Sequence, residues 1–350
     1  MYLLSVLCGF CIYTAITAKC TEETARKERK ETTMTDNYLS LNMSSTKEIL
    51  KKFEAGDIKA LARSISIVEN ETSGYEEILS SLKIKNVPVA GITGPPGAGK
   101  STLINAILKK LTDKGKKIGV IVIDPTSPFN YGSLLGDRLR MAEHFTNEKV
   151  FIRSLATRGS LGGLSAKTIE ISDVMRAFGF DYVFIETVGV GQSEVEIAGL
   201  ADTTVLVLVP GYGDEVQTLK SGIMEIGDIF VINKNDQPNA DGFAKTVEHL
   251  VHSRPPSTIN LQTSTISWTP PVLKATATEE KGMDEIIKKI DEHSQHSNDK
   301  KVFLLTEKAF KLIQNKRMKN IDKKKLQKEI ESEMKKKDFN LYKFVNLQQQ

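Results

Sequence analysis

The chain is 350 residues long, 40% hydrophobic and 26% charged, with a formal net charge of +4. That length and apolar content suit one sizeable α/β core with helical additions better than two equal domains. The small charge surplus sits mostly in Lys-rich terminal stretches without interleaved aromatics, which argues against a nucleic-acid-binding class. The three cysteines, Cys8, Cys11 and Cys20, all precede the core and imply no disulfide framework.

Residues 1–18 are apolar but lack the basic start of a secretory signal and are marginal in length for a membrane span. Three readings of this segment stay open: a signal-like stretch, part of an organellar presequence, or sequence upstream of a true start at Met34 or Met43. Cys8-Gly-Phe-Cys11 is a poor zinc site, because structural zinc needs four ligands. Between Ser44 and Leu82 apolar residues recur at helical spacing. Ile49 and Phe53 precede Gly56-Asp57, and Ile58, Leu61, Ala62 and Ile65 follow it, which predicts two amphipathic helices.

Residues 91–102 read Gly-Ile-Thr-Gly-Pro-Pro-Gly-Ala-Gly-Lys-Ser-Thr, a complete G-x-x-x-x-G-K-[ST] loop after an apolar run and before a helical pattern. Gly94, Gly97 and Gly99 permit the backbone geometry that lets successive N–H groups wrap phosphates. Lys100 reaches the β- and γ-phosphates and Ser101 offers its hydroxyl to Mg²⁺. The expected contacts run through Gly94, Pro95, Pro96, Gly97, Ala98, Gly99, Lys100, Ser101 and Thr102. Residues 119–123 read as a buried parallel strand ending in Asp124, placed to hold Mg²⁺ directly or through water. Residues 182–185 read as another, ending in Glu186, the acidic strand-end position that serves Mg²⁺ or its water shell. Gly189 is placed to give a backbone N–H to the γ-phosphate; Gln192 either orients water or is a plain polar loop residue.

Residues 204–209 form a further buried strand pattern that runs into a glycine-rich loop, with Asp214 as a reasonable helix N-cap. Residues 229–232 lead into Asn233-Lys234-Asn235-Asp236, an N-K-x-D tetrad at the C-terminal end of a strand, where parallel sheets bind ligands. A carboxylate there accepts hydrogen bonds from the N1–H and 2-amino donors of guanine, which adenine lacks. Asp236 is the expected guanine reader, with Asn233 and Lys234 beside it. Residues 272–277 read as the last strand and its loop, where Thr276 and Ala277 offer backbone N–H groups to the guanine O6 and Thr278 adjoins them. Farther on, Val302, Leu305, Ala309, Leu312 and Ile313 form an apolar stripe that packs either on its own domain or on a second copy. The lysine runs at 323–325 and 335–337, with Glu329, Glu331 and Glu333 between them, predict a solvated amphipathic helix.

Taken in order, a set of long motifs resembles the MeaB/ArgK GTPases, the methylmalonyl-CoA mutase-associated G proteins that include the methylmalonic aciduria type A family. They are Gly-Pro-Pro-Gly-Ala-Gly-Lys-Ser-Thr at 94–102, Asp-Pro-Thr-Ser-Pro-Phe at 124–129, Gly-Ser-Leu-Leu-Gly-Asp-Arg at 132–138 and Glu-Thr-Val-Gly-Val-Gly-Gln-Ser-Glu at 186–194. Val-Pro-Gly-Tyr-Gly-Asp-Glu-Val-Gln at 209–217 and Trp-Thr-Pro-Pro-Val-Leu-Lys at 268–274 continue the series, and the resemblance covers most of 45–345. It implies an α/β P-loop NTPase fold with a mostly parallel central sheet flanked by helices, a SIMIBI-type G domain at 85–295. A poorly defined segment at 1–43 and a helical element at 44–84 precede it, and a C-terminal helical dimerisation element follows at 296–350.

The same resemblance implies hydrolysis of GTP to GDP and phosphate with Mg²⁺. Lys100, Glu186 and Gln192 would serve catalysis, and Ser101, Asp124 and Glu186 the metal. It further implies a chaperone for a cobalamin-dependent acyl-CoA mutase such as methylmalonyl-CoA mutase, gating adenosylcobalamin delivery from an adenosyltransferase and protecting or reactivating the mutase. The cobalamin belongs to the mutase. A relay segment would lie at 210–220, with Asp214, Gln217 and Lys220 as its polar contacts. The expected setting is a homodimer in the cytoplasm, with the mitochondrial matrix as the alternative, and without membrane or nucleic-acid partners. The base-side loop reads Lys-Ala-Thr-Ala where the family more often has Lys-Thr-Ser-Ala, a change that recognition by backbone amides tolerates. Two other functions compete. A transport-linked kinase for amino-acid-binding proteins would use ATP, against the N-K-x-D tetrad. A nickel-type metal-insertion GTPase would need ligands near the nucleotide, but the core lacks cysteine and His144, His249, His252, His293 and His296 form no ligand pattern.

Overall fold

A computed structural model of the protein describes residues 46–124, 141, 144, 146–156, 166–187, 197–211, 223–253 and 268–296, and a discontinuous set between 305 and 344. Seven apolar runs among these residues become strands: β1 (Val89–Thr93), β2 (Ile118–Asp124), β3 (Val150–Ala156), β4 (Tyr182–Thr187), β5 (Thr203–Leu208), β6 (Ile229–Ile232) and β7 (Val272–Lys274). The helices are α1 (46–54), α2 (Ile58–Glu69), α3 (Tyr75–Ser81), α4 (Lys100–Asp113), α5 (Ala166–Phe178), α6 (Ile223–Ile226), α7 (Ala240–His252), α8 (Met283–His296) and α9 (Lys323–Glu333). Among the described residues, 46–86 with 170–180 make one compact unit, and the others make another.

In the larger unit every strand pairs parallel, in the order β3-β2-β4-β1-β5-β6-β7. Apart from the half-buried edge strand β3, which carries Arg153 and Ser154, the strand runs lack polar alternation because both faces of the sheet are covered. Period two then sorts the side chains. Val205, Val207, Ile229 and Val231 join the core with Leu103, Ile104, Ile107 and Leu111 of α4 and Ile286 and Ile290 of α8. Leu206, Leu208, Phe230 and Ile232 pack instead with Phe243, Val247 and Val251 of α7. The buried positions on α4 fall at three- and four-residue steps, so one stripe of this helix holds the sheet while its first turn stays at the C-terminal edge of β1. With β4 on one side of β1 and β5 on the other, that edge is a switch point, where parallel sheets bind ligands.

Three aspartates set the register at the opposite edge. Each directly precedes a strand, donates its N–H to the carbonyl of a residue on the neighbouring chain segment, and accepts that same residue's N–H on its carboxylate. Asp181 holds Lys117 (2.8 Å to the carbonyl, 2.8 Å to the carboxylate), Asp202 holds Val89 (2.9 and 3.2 Å), and Asp228 holds Thr204 (2.9 and 2.9 Å). Burial alone would raise the Asp181 carboxyl, but the Lys117 N–H and the Lys116 ammonium outweigh it and hold it below its ordinary value.

Asp228 carries the densest of these contacts. Its backbone carbonyl accepts the Trp268 indole N–H at 2.8 Å, and its carboxylate lies 3.5 Å from Nε2 of His293. His293 in turn shares a 2.8 Å hydrogen bond with the Thr203 hydroxyl and meets the Trp268 ring edge-on, centroids 4.9 Å apart. Asp228→Ala strips a buried N–H of its acceptor and is expected to cost about 2–4 kcal/mol. Trp268 is the chain's single tryptophan, so its fluorescence in a urea titration reads the loss directly as a lower midpoint at unchanged slope. An unmoved midpoint would show that this staple carries no stability.

The α8 helix is fastened to the sheet by a second polar contact: the Tyr182 hydroxyl donates to Asp291 at 2.8 Å. Burial first, and then this hydrogen bond and the charge of Asp291, push the Tyr182 phenol well above its ordinary value. A raised pKa in the folded state contributes stability that is complete below the unfolded value of about 10 and is lost as pH climbs through the folded value. Tyr182→Phe is therefore expected to cost about 1 kcal/mol at neutral pH, a figure reduced because the pair is half exposed. It should also remove part of the decline in stability above about pH 10. Parallel urea midpoints for both proteins from pH 8 to 11 check this; identical alkaline slopes would contradict it.

In the smaller unit the expected pair of helices is three. Gly56 (φ 83°) ends α1, and the Asp57 carboxylate caps α2 by accepting the Lys59 N–H at 3.0 Å. A second left-handed glycine, Gly74 (φ 92°), then turns the chain into the short α3. Leu61, Ile65, Val68 and Ile78 are buried in this unit, and Phe53 meets the edge of Phe178 at 5.2 Å between centroids.

Candidate nucleotide site

The phosphate loop leaves β1 at Thr93 and enters α4 at Lys100. Two of its glycines are required twice over, by conformation and by space. Gly94 has φ 139°, and a Cβ there would fall 2.1 Å from the Val207 carbonyl oxygen. Gly99 has φ 84°, and a Cβ there would fall 2.5 Å from the Asn233 side-chain nitrogen. Lys100 is buried, and its ammonium donates to the carbonyls of Gly94 (2.7 Å) and Pro95 (3.0 Å), curling the cation back over the loop that carries it. The Ser101 hydroxyl donates to Oε1 of Glu186 at 2.6 Å. Glu186 is buried near the end of β4, so the sheet brings together two hard oxygen donors 85 residues apart in sequence. Asp124 closes β2 at the same edge, one step past the pairing of Ile123 with Thr187; its side chain is outside the described residues.

The base-side elements are tied to the phosphate loop by one side chain. Asn233 is 2% exposed; its amide nitrogen donates to the Ala98 carbonyl at 2.9 Å, and its oxygen accepts the Ala277 N–H at 3.2 Å. Lys234 adopts a left-handed conformation (φ 57°), and the Asn235 N–H donates to the Ala275 carbonyl at 3.0 Å, fixing the tetrad against the loop after β7. Asp236 is exposed. Lys281 is raised above its ordinary value, first by its hydrogen bond to Glu279 and in smaller part by the charge of Asp236.

Thr276 and Ala277 stand where the sequence puts them, but their N–H groups are engaged within the chain. Thr276 donates to the Lys281 carbonyl at 3.2 Å and Ala277 to Asn233, while Thr278 is exposed at the tip. The stitching role of Asn233 is not readable from sequence; its one signal is the asparagine that opens the tetrad. Gly189, Gln192, Asp214, Gln217 and Lys220 lie outside the described residues. The structure thus gathers Lys100, Ser101, Glu186, Asn233 and the 276–278 loop at one edge of the sheet.

Residues 61–335 match the family model described as methylmalonyl Co-A mutase-associated GTPase MeaB. The chain is 48% identical over 250 residues to a Pyrococcus abyssi protein named provisionally as a GTPase, covering 71% of this chain and 76% of that one. It is 36% identical over 252 residues to the Escherichia coli GTPase ArgK, covering 70% and 75%. To the mitochondrial methylmalonic aciduria type A homolog of Caenorhabditis elegans it is 33% identical over 272 residues, covering 72% and 66%. The crystal structure of a LAO/AO transport system kinase superposes with TM-score 0.56 at 24% identity, over 87% of this chain and 96% of that one, a likeness of fold. With residues 61–335 matched to that family model and named GTPases among its relatives, the chain is a GTP hydrolase and belongs to the MeaB family of GTPases.

Proposed function

We propose that this GTPase serves a cobalamin-dependent acyl-CoA mutase of the methylmalonyl-CoA type, using the state of its bound nucleotide to time its hold on the mutase. The match of residues 61–335 to the mutase-associated family carries this reading. In it, Lys100 leaves the carbonyls of Gly94 and Pro95 for the β- and γ-phosphates, and Asp236 reads the guanine edge. Ser101 and Glu186 suit Mg²⁺, which takes oxygen ligands and commonly binds through one or two protein groups plus phosphate and water. The metal supplies charge neutralisation at the phosphates; Asp124 adds a ligand directly or through water. Gly189, Gln192 and the 210–220 relay with Asp214, Gln217 and Lys220 keep the roles the family resemblance implies.

The reading includes a homodimer built through the C-terminal segment. Leu305 (55% exposed), Phe310 (63%) and Ile313 (54%) leave an apolar surface uncovered in the single chain, which supports a second copy as its cover. The functional test is a time course of methylmalonyl-CoA mutase turnover with adenosylcobalamin, with and without this chain and GTP. The expected result is a decline in mutase activity that slows only when chain and GTP are both present. Equal declines in all mixtures would remove the chaperone role and leave the GTPase.

A further inference from the structure

Two fully buried threonines stand at the root of the nucleotide site. Thr93 is the last residue of β1, directly before Gly94, and Thr187 is the last of β4, directly after Glu186. The ladder between these strands pairs Ile92 with Glu186, so the two threonines are its next step, and the Thr187 hydroxyl donates to that of Thr93 at 3.0 Å. One hydrogen bond therefore ties the strand that leads to the Lys100-bound carbonyls to the strand that carries the Ser101-bound carboxylate.

Packing does not account for this pair. Valine has nearly the shape of threonine, and two valines would fill the same volume without taking hydroxyls from water. A buried hydrogen bond between neutral groups returns little net stability against that desolvation. What the hydroxyls add is direction: they fix the lateral offset of two strand ends at the step past the last pair, where the backbone of each is leaving the sheet for a loop. A shift of a few tenths of an ångström there passes directly to the neighbours on either side, Gly94 and Glu186.

We infer that Thr93 and Thr187 are positioning residues that set the separation of Ser101 Oγ from Glu186 Oε1 and thereby the response of bound GTP to Mg²⁺. The inference rests on the reading of Ser101 and Glu186 as a Mg²⁺ site. The informative variant is the double Thr93→Val/Thr187→Val in the full chain, because either single change strands a buried hydroxyl. Binding of a fluorescent GTP analogue is followed while Mg²⁺ is titrated, beside the thermal midpoint and kcat and KM for GTP. Expected are a thermal midpoint and a metal-free analogue affinity like the wild type's. The Mg²⁺ concentration for half effect should rise about tenfold, with kcat lowered while KM for GTP is kept. The single variant Thr187→Ser, which keeps both hydroxyls, should keep the wild-type Mg²⁺ response.

A double variant with wild-type Mg²⁺ response and kcat would make the pair plain packing and overturn the inference. If the double variant does not fold, Thr187→Ser and Thr187→Ala replace it. The inference expects a wild-type Mg²⁺ response from serine and a shifted one from alanine, and equal responses from the two would overturn it. Analogue binding to the wild type that ignores Mg²⁺ would instead overturn the Mg²⁺ site itself, and the inference with it.

Discussion

Lys100→Ala is expected to lower kcat/KM for GTP by about a thousandfold, the scale set by removing a preorganised charge from a site of developing negative charge. The side chain is buried and its ammonium already sits over the phosphate loop, held by the Gly94 and Pro95 carbonyls. The stem is already packed and only the ammonium swings from those carbonyls to the phosphates, so the loss appears in turnover as well as in affinity. Arginine does not substitute, because its planar fork does not fit where a compact ammonium meets two carbonyls at 2.7 and 3.0 Å. Steady-state phosphate release, with the thermal midpoint as control, decides the matter. A well-folded alanine variant with more than a tenth of wild-type kcat/KM would mean that phosphate charge is neutralised elsewhere.

Asp236→Asn is expected to weaken GTP binding by about a hundredfold while leaving the phosphate side intact. Guanine offers two adjacent donors, and a carboxylate accepts both. An amide accepts one and turns its own donor toward the other, losing one charge-assisted hydrogen bond of about 1.5–3 kcal/mol. Xanthine carries a carbonyl where guanine has its amino group, so the asparagine variant should gain on xanthosine triphosphate what it loses on GTP. Competition of both nucleotides for a fluorescent analogue measures the switch. An unchanged preference for GTP would show that the base lies away from Asp236, although its neighbour Asn235 is bonded to Ala275 at the start of the loop after β7.

The fold was legible because its signals are local. The short apolar runs without alternation read as strands covered on both faces, except β3, whose Arg153 and Ser154 break its run, and the glycine-rich loop with a helical stripe after it fixed where β1 meets α4. Glu186 and Asn233 were legible as strand-end polar residues. Ser101 and Glu186, 85 residues apart, were expected at one metal site, but the contact of Asn233 with Ala98 across 135 residues was not legible. The aspartate staples were hidden for the same reason: Asp202 looks like a loop residue until β5 is laid beside β1. The third N-terminal helix was missed because α3 is seven residues long, too short for an apolar period to declare itself, and its start depends on the left-handed Gly74. The N–H groups of Thr276 and Ala277 looked available for a base because nothing in the sequence tells that Lys281 folds back in an antiparallel bridge to Thr276.

The measurement that bears most directly on the account is calorimetric titration of methylmalonyl-CoA mutase into this chain loaded with a non-hydrolysable GTP analogue, with GDP, or with no nucleotide. The expected result is a Kd that differs by at least about tenfold between the GTP-like and GDP states, which is about 1.4 kcal/mol of coupling and, by linkage, an equal effect of the mutase on nucleotide affinity. One Kd across all three states, or no heat of binding in any, would contradict it.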